Sequence, residues 1–403
     1  MTAERSWIRA REASERLGVS LPTLYAYVSR GFVRSQATAG SSRERRYSRE
    51  DVERLRRRTE ERRNPDKATA RALDWGMPVL ESAITLIDGA SFYYRGHDAV
   101  MLSRSRSIVE VASLIWTGAF DLWRPDAAPD DAGTLESSND DLPFVVRAQS
   151  ALVVESVRDP AAHDLRPAGV AHSGWRILGL LARAAAKSRA GAPAIDEWLA
   201  RSWRVGAQGV DLLRSAIILC ADHELNVSAF AARCIASAGS NPYAVVIGGL
   251  SALEGTRHGG ASARAEAMLE SMRRVRHVRS AIAARMRRGE SIDGFGHPLY
   301  AAGDPRAVAL IGMLRERYPK SPELAFLLEY ADAASAAVRA RPNLDFALAG
   351  VSRVLRLPPG SPFALFAIAR TIGWIGHTIE QYANGRLIRP RAKYVGIAPI
   401  RQR

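Results

Sequence analysis

Residues 323–341, ELAFLLEYADAASAAVRAR, carry the pattern that decides the fold. Four apolar residues recur at intervals of three and four, as on one stripe of a helix: Leu324, Leu327, Leu328 and Ala331. The chain after about Ala68 is rich in Ala and Leu at this spacing, and strand-like runs are few. Ser82–Gly96, SAITLIDGASFYYRG, is the best candidate for a small sheet. We therefore predict a mainly α body.

The composition is that of an ordinary globular protein. The chain is 47% hydrophobic and 25% charged, and its length of 403 residues predicts two or three domains. No apolar run reaches about 18 residues, so we expect no membrane partner. The N-terminal stretch lacks the apolar core of a signal peptide, and both cysteines, Cys220 and Cys234, lie in apolar helix-like sequence. A reducing cytoplasm is the simplest location.

The positive charge is concentrated near the N-terminus. Residues 1–67 hold 17 Lys and Arg against 10 Asp and Glu, within a chain of net charge +15. This excess invites a nucleic-acid interpretation. Only four of the 57 basic residues are lysine, however, so the arginine bias is compositional and is weak evidence for DNA.

The head of the chain has the form of a helix-turn-helix. In Ala10–Gly31, AREASERLGVSLPTLYAYVSRG, Gly18 permits a tight turn, and Ser20 followed by Pro22 predicts a helix start. Thr23 and Tyr25 would then begin a recognition helix that can enter a major groove.

A basic turn and a further, Ser-capped helix follow in Gly40–Leu55, GSSRERRYSREDVERL. Together these segments resemble the winged-helix head of MerR-type regulators over about residues 7–58. The resemblance implies DNA as a partner, with Arg43, Arg45 and Arg46 suited to phosphate contacts from the wing. The alternative is a helical module that packs on the body or on another protein and contacts no DNA.

Six short segments of the body carry histidine, aspartate and arginine in unusual company. Each segment places one or two such residues beside glycines or within an apolar run: CADHELNVSAF (His223), GTRHGGA (His258), IDGFGHPLYAAGDPR (His297 and Arg306), NLDFALAG (Asp345), FAIARTIGWIGHTIEQ (Arg370) and GRLIRPRAKYVG (Arg389). We interpret Gly259 and Gly260 as keeping open the approach of a ligand to His258. Asp345 stands in an apolar setting, where a carboxylate requires a partner or a function.

Other chemistries fit these residues less well. The sequence has no Walker loop, no dinucleotide glycine pattern, no zinc-ligand spacing and no G-x-S-x-G elbow, so we predict no metal site. An Asp can remove a proton beside a carbonyl, a His can hydrogen-bond the enolate that forms, and arginines bind carboxylates. The set therefore favours condensation of an enolate with a keto-acid.

In this order, the six segments resemble those of citrate synthases, and the likeness runs from about Ser82 to Gly396. The resemblance implies that His258 stabilises the enol of acetyl-CoA, that Asp345 takes the methyl proton and that His297 polarises the ketone of oxaloacetate. By the same resemblance, oxaloacetate is bound by His223, His297, Arg306, Arg370 and Arg389, the last contributed across a homodimer interface. Gly294, Phe295 and Gly296 correspond to backbone that meets CoA. Acetyl-CoA is then a substrate, and no separate cofactor is implied.

The resemblance also implies a two-domain helical fold that closes on its substrate. Its boundaries would be 1–64 for the MerR-like head, 65–259 with 356–403 for a large domain, and 260–355 for a small domain. Two positions depart from the common family pattern: Ser262 stands where many relatives have Asn, and Pro298 where many have Arg. We expect both changes to leave the acid–base pair untouched and to affect CoA contacts or acyl preference.

Three functions remain open from the sequence. The first is a citrate synthase that condenses acetyl-CoA with oxaloacetate, and the second is a 2-methylcitrate synthase that uses propionyl-CoA. The third is a regulator in which a synthase-like body senses a metabolite and the head binds DNA. A two-fold dimer would present two heads to a palindromic operator. Against the regulator, every expected catalytic position is filled.

Overall fold

Helices dominate the part of the chain that the computed structural model describes, which confirms the predicted mainly helical fold. The described residues are 7–37, 45–63, 79–125, 141–187 and 194–397. The chain divides into two units, Met1–Glu81 and Ser82–Arg403.

The first unit contains a winged helix-turn-helix. Its described elements, in chain order, are β1 (Trp7–Arg9), α1 (Ala10–Leu17), α2 (Leu21–Ser29), β2 (Ser35–Ala37), β3 (Arg45–Ser48) and α3 (Arg49–Arg63). The three strands form an antiparallel sheet in the order β1-β3-β2. A separate apolar core lies between the sheet and the helices, formed by Ile8, Ala13, Leu17, Leu24, Val33, Tyr47 and Val52.

Local signals place the two helices of this head. Gly18 ends α1 with a φ of 62°, a left-handed conformation that glycine adopts without strain. The Ser20 hydroxyl accepts a hydrogen bond from the backbone N–H of Thr23 and so caps α2. Asp51 at the start of α3 binds the backbone N–H and the guanidinium of Arg34, which lowers the pKa of its carboxyl to about 2. This pair ties the segment before β2 to α3.

The second unit begins with the predicted small sheet. Strands β4 (Thr85–Asp88), β5 (Ser91–Tyr94) and β6 (His97–Asp98) pair antiparallel in chain order. Fourteen described helices follow: α4 (Ala99–Ser105), α5 (Ile108–Thr117), α6 (Phe144–Arg158), α7 (Pro167–Ala186), α8 (Ile195–Ser202), α9 (Ala207–Cys220), α10 (Val227–Ser237), α11 (Pro242–Glu254), α12 (Gly260–Arg273), α13 (Val278–Arg287), α14 (Pro305–Arg317), α15 (Pro322–Val338), α16 (Leu344–Leu355) and α17 (Ser361–Asn384).

Helix α17 is the centre of this unit. It is 24 residues long and buried over most of its circumference, as expected of a helix that is apolar on every side. Helices α7, α9, α10 and α11 pack around it. Close approach depends on glycines: a Cβ at Gly249 of α11 would lie 2.7 Å from the Trp374 ring.

A second packing arrangement brings together three helix starts. Helix α16 packs on both α12 and α14, and α14 also packs on α9. Ser262, Arg306 and Asp345 all lie in the first turns of these helices. The turns that precede them carry His258 and His297. The packing therefore gathers short segments that are distant in sequence.

None of the described helices is both long and apolar enough to cross a membrane.

We predict that Gly373→Ala destabilises the body. A Cβ at this position would overlap Ala221 O and Asp222 Oδ1, where α17 meets the segment after α9. Overpacking of this kind costs about 1–3 kcal/mol. Urea unfolding should show the loss as a lower transition midpoint. Gly312→Ala in α14 is the matched control, because its nearest neighbour, Arg104 Nη2, lies 4.0 Å away. An equal response of the two variants would contradict the prediction.

Candidate active site

Six side chains from well-separated segments act on one another in the second unit. They are His223, His258, His297, Arg306, Asp345 and Arg370. The pKa of His223 responds to both arginines and to both other histidines, and the pKa of Asp345 responds to Arg306. Five of the six residues lie in turns that precede α10, α12 and α14 or in the first turns of α14 and α16. The sixth lies inside α17.

His223 lies deep in this cluster. Its Nε2 is 2.9 Å from the Tyr300 hydroxyl, and its ring centroid is 5.2 Å from that of His297. Burial, followed by the charges of Arg306 and Arg370, holds the pKa of His223 well below its usual value. The imidazole is therefore neutral at neutral pH.

His297 has a defined tautomer. The backbone N–H of Leu299 donates to its Nδ1 at 3.2 Å, so the proton of the neutral ring is carried by Nε2. Burial, and then the charge of Arg306, lowers the pKa of His297 to about 4. Nε2 can thus donate a hydrogen bond without the ring carrying a charge.

His258 is held from behind by Ser228. The Nε2 of His258 lies 2.8 Å from the Ser228 hydroxyl, which also accepts from Trp374 Nε1 at 3.2 Å. Burial, with Arg370 as the second cause, lowers the pKa of His258 to about 4. The Ser228 hydroxyl can donate its proton either to Asn226 Oδ1 or to His258 Nε2. When it donates to Nε2, the proton of the neutral His258 ring is carried by Nδ1. Asn226 Oδ1 still accepts from two backbone N–H groups in that state.

The two glycines after His258 are required for a different structural reason from the one we predicted. A Cβ at Gly259 would lie 2.7 Å from Leu253 O, and one at Gly260 would lie 3.0 Å from Gly255 O. The space around them is therefore filled by the chain's own preceding turn and is not held open for a ligand. Their small size lets α12 start directly against that turn.

Arg306 is fixed by a buried carboxylate. Its Nε lies 2.9 Å from Asp304 Oδ1, and its Nη2 lies 2.8 Å from Asp304 Oδ2. Burial acts to lower the pKa of Arg306, but the charge and hydrogen bonds of Asp304 outweigh it and raise that pKa. Asp304 Oδ2 also accepts from the backbone N–H of Leu344 at 3.0 Å, which connects the arginine to the start of α16.

Arg370 is 1% exposed within α17. Its Nε donates to the Cys220 carbonyl at 2.9 Å, and its guanidinium lies 4.9 Å from the centre of the Phe366 ring. Within the described parts of the chain, neither Nη atom has a hydrogen-bond partner. A buried guanidinium with free donors is suited to bind an anion such as a carboxylate.

Asp345 is the second residue of α16, and Asn343 caps that helix. Asn343 Oδ1 accepts from the backbone N–H groups of Asp345 and Phe346. The Ser262 hydroxyl donates to Asp345 Oδ1 at 2.5 Å. Burial raises the pKa of Asp345 above its ordinary value, against the Ser262 hydrogen bond and the charge of Arg306. The expectation that the Ser262 departure leaves the acid–base pair untouched is therefore wrong, because this hydroxyl contacts the proposed base.

The Gly294–Gly296 loop is bound to the same helix start. Gly294 and Gly296 have φ angles of 90° and 80°, where a side chain would be strained. Asn343 donates through its backbone N–H to Gly294 O and through its Nδ2 to Gly296 O. Phe295 packs at 5.2 Å, centroid to centroid, on Phe346. A displacement of this loop would therefore also displace Asp345.

Arg389 does not join the cluster of its own chain. It is exposed, and its neighbour Ile388 binds Ser237 at the end of α10. His223 precedes the opposite end of this 11-residue helix, which is about 16 Å long.

The candidate DNA-binding residues lie on the head. Thr23 bonds the Ser20 hydroxyl at 2.9 Å, and Tyr25 on α2 is 50% exposed. Arg45 is exposed and Arg46 partly exposed on β3. Arg43 falls outside the described residues.

Sequence reasoning missed the residues that support the cluster: Ser228, Tyr300, Asp304 and Asn343. Two of these have a readable local signal, because Asp304 followed by Pro305, and Asn343 after Pro342, both predict helix starts. Tyr300 and Ser228 carry no such signal. Over the described residues, no group of three or more His, Cys, Asp or Glu side chains is arranged to hold a metal ion.

Two family models match separate parts of the chain. The family model "Citrate synthase, C-terminal domain" matches residues 180–391. The model "MerR HTH family regulatory protein" matches residues 8–59.

Curated relatives include enzymes of two names. The citrate synthase of Haloferax volcanii is 30% identical over 80% of this chain and 94% of its own length. The 2-methylcitrate synthase of Shewanella oneidensis is 28% identical, with the same two coverages of 80% and 94%. The match to citrate synthase 2 of Bacillus subtilis is 37% identical but spans only 48% of this chain and 54% of that relative.

A solved structure gives the same likeness over the body. The crystal structure of citrate synthase from Thermotoga maritima superposes with a TM-score of 0.67 at 26% identity. The superposition covers 81% of this chain and 96% of the other.

Proposed function

This chain belongs to the citrate synthase family, and on that premise we propose that it condenses an acyl-CoA with oxaloacetate. The simplest version uses acetyl-CoA and water and yields citrate and CoA. One observation carries the proposal: a single cluster joins two buried arginines, three neutral histidines and a buried carboxylate. No metal or prosthetic group is needed, because CoA enters as part of a substrate.

Oxaloacetate would be bound by charge and by neutral hydrogen bonds. Its two carboxylates would pair with Arg306 and Arg370, both of which are buried. His223 would contribute a neutral donor or acceptor beside them. His297 would donate from Nε2 to the ketone oxygen, since its Nδ1 is occupied by the Leu299 N–H.

Asp345 would begin the reaction as a general base. Its free carboxylate oxygen takes a proton from the carbon next to the thioester carbonyl, and the C–H electron pair forms the enolate. His258 hydrogen-bonds the thioester oxygen and so stabilises the negative charge that develops there. Because burial raises its pKa, the Asp345 carboxylate, once ionised, is a stronger base than an exposed carboxylate.

The enolate carbon would then attack the ketone carbon of oxaloacetate. A carbon–carbon bond forms, and the ketone oxygen becomes a hydroxyl as it takes the Nε2 proton of His297. The proton that Asp345 removed balances this transfer when it is returned to the His297 ring. Water then cleaves the thioester of the condensed product, which releases CoA as a thiol and leaves a carboxylate. Exclusion of bulk water before the first step protects the enolate.

The cluster also supports the proposed domain division. His258 and Arg370 fall in the proposed large domain (65–259 and 356–403), whereas Arg306 and Asp345 fall in the proposed small domain (260–355). The proposed head is residues 1–64. A site shared by two domains is assembled by their closure and can exclude water when they close.

The acyl group is the open choice within this reaction. Propionyl-CoA would make the protein a 2-methylcitrate synthase, and relatives of both names match it over similar lengths. One methylene changes transition-state binding by about 1–3 kcal/mol. The ratio of kcat/KM for the two acyl-CoAs, measured as thiol release, therefore names the activity. We expect the cytoplasm as the compartment, since both cysteines are free thiols.

We predict that Asp345→Asn abolishes turnover and leaves oxaloacetate binding intact. The substitution removes the proton acceptor without touching Arg306 or Arg370. Thiol release measures the first effect, and isothermal titration with oxaloacetate measures the second. Asp332→Asn, at an exposed position of α15, is the matched control and should behave as wild type. Unchanged turnover in Asp345→Asn would rule out this assignment of the base.

We further propose that the protein is a homodimer in which Arg389 completes the partner's site. Arg389 is exposed and lies away from the cluster of its own chain. The segment around it exposes several apolar side chains, as expected of an arm that packs on another surface: Leu387 at 61%, Tyr394 at 74%, Val395 at 88% and Ile397 at 87%.

A mixed dimer of Asp345→Asn and Arg389→Ala tests this exchange. Each variant alone should be nearly inactive. If Arg389 crosses the interface, the mixed dimer has one intact site and reaches about half of wild-type turnover. If Arg389 serves its own chain, both sites carry a lesion. Co-expression with two different affinity tags isolates the mixed dimer, and absence of thiol release from it would contradict the proposal.

The head supports a second function, which is DNA binding by the same chain. The match to a MerR regulatory family and the winged helix-turn-helix both favour it. Tyr25 is exposed on α2, and Arg45 is exposed on β3 of the wing. In this reading, the body would be an enzyme or a metabolite sensor that controls an operator-binding head.

We predict salt-dependent duplex binding that involves Arg45 and Arg46. Loss of two phosphate contacts should flatten the slope of log affinity against log salt by about 2. Fluorescence anisotropy with genomic fragments, for wild type and for the Arg45→Ala, Arg46→Ala double variant, measures this slope. Arg315→Ala, exposed in the body, is the control. If the wild type binds no fragment at low salt, the head has another role.

A further inference from the structure

Ser262 is the one hydrogen-bond partner of the Asp345 carboxylate among the described residues. Its hydroxyl donates to Oδ1, and the serine itself is fully buried. The two residues lie 83 positions apart and meet where α12 packs on α16. Within the described ranges of the chain, no protein donor is bonded to Oδ2 of Asp345.

The backbone holds Ser262 in a fixed place. Its N–H donates to Gly259 O at 3.0 Å, inside the turn that opens α12. That turn is packed so closely that a Cβ at Gly259 would overlap Leu253. The carboxylate it holds, by contrast, has a broad torsional preference of its own, because rotation about a terminal sp³–sp² bond is weakly restricted. The hydroxyl therefore supplies an orientation that the Asp345 side chain lacks by itself.

The charged groups that face Asp345 are already engaged with other partners. Arg306, from α14, is paired with Asp304, whose own charge opposes ionisation of Asp345. Arg264, from α12, binds Asp293 and the Thr256 carbonyl. Cys220, from α9, is a further titratable group that interacts with Asp345. None of these groups donates a hydrogen bond to the Asp345 carboxylate.

We propose that Ser262 is the positioning residue of the general base, which it holds by Oδ1 so that Oδ2 takes the substrate proton. The inference rests on the proposed condensing function and assigns to Ser262 no contact with substrate. The hydroxyl has two effects. It orients the carboxylate, and it stabilises the ionised form against burial, which acts in the opposite direction.

The sign of the pH effect follows from the second role. Removal of the donor raises the pKa of Asp345 further. Because the base must be ionised to accept a proton, activity is then lost at a higher pH on the acid side. Ser262→Ala should lower kcat at neutral pH by about tenfold to a hundredfold and should move the acid limb of the kcat profile up by about one pH unit or more. KM for oxaloacetate should stay near its wild-type value, because neither arginine is touched.

The experiment measures thiol release from acetyl-CoA and propionyl-CoA across pH for the full-length protein. Ser262→Ala is compared with Ser262→Thr, which keeps the hydroxyl and should restore the wild-type acid limb. Ser215→Ala is the matched control, since that buried hydroxyl bonds the Ser103 carbonyl in α4. Oxaloacetate titration and circular dichroism report whether each variant is folded.

The outcomes separate the two levels of the proposal. A folded wild type without thiol release from either acyl-CoA overturns the condensing function and this inference with it. An active wild type, with an acid limb that does not move in Ser262→Ala, overturns the inference alone. A fall in kcat with an unmoved acid limb does the same, because it assigns Ser262 a purely structural role. If Ser262→Ala fails to fold, the test rests on Ser262→Thr. An acid limb in Ser262→Thr that differs from the wild-type limb then overturns the inference.

Discussion

The buried pair of Arg306 and Asp304 is the interaction on which the rest of the candidate site depends. Neither ion could remain so deeply buried without the other, since an unpaired charge inside a protein costs several kcal/mol. Both carboxylate oxygens of Asp304 accept hydrogen bonds. Oδ1 caps α14 and accepts from Arg306 Nε, while Oδ2 accepts from Arg306 Nη2 and from the N–H of Leu344. One carboxylate thus fixes the arginine proposed to bind substrate and the start of the helix that carries Asp345. The distance between the proposed anion site and the proposed base is set by this pair.

Burial and the charges of two arginines together keep the three histidines neutral. Burial is the first cause of the low pKa of all three, and the nearby guanidinium charges of Arg306 and Arg370 act in the same direction. The site therefore holds fixed positive charge beside neutral hydrogen-bond donors. A dianionic keto-acid would meet charge at its carboxylates and neutral donors at its ketone. The proposed reaction then needs one base, which Asp345 would provide in its ionised form.

The sequence predicts the parts of this structure that depend on local chemistry. Gly18, Ser20 and Asn343 act within a few residues of their own positions, so the helix end at Gly18 and the helix starts at Ser20 and Asn343 are readable. The contacts that unite the site are not readable in this way. Tyr300 reaches His223 across 77 residues, and Ser262 reaches Asp345 across 83. Gly259 shows the limit clearly: glycine beside a histidine suggests room for a ligand, whereas the space is filled by Leu253, which only tertiary packing reveals.

In the proposed reaction, charged and polar groups would select oxaloacetate, and the shape of the site would select the acyl group. The groups that would bind oxaloacetate are ions and polar rings, and they are committed to specific geometry by Asp304, Tyr300 and Leu299. The wall beside His258 is of another kind. Phe366 lies edge-on to the His258 ring at 6.0 Å and under the Arg370 guanidinium at 4.9 Å. This ring borders both the proposed thioester position and the proposed oxaloacetate position. Because a phenyl wall cannot distinguish acyl groups by hydrogen bonds, discrimination between acetyl and propionyl must come from the volume left beside it. A difference of that size is about 1–3 kcal/mol per methylene, which allows one acyl group to be preferred without excluding the other.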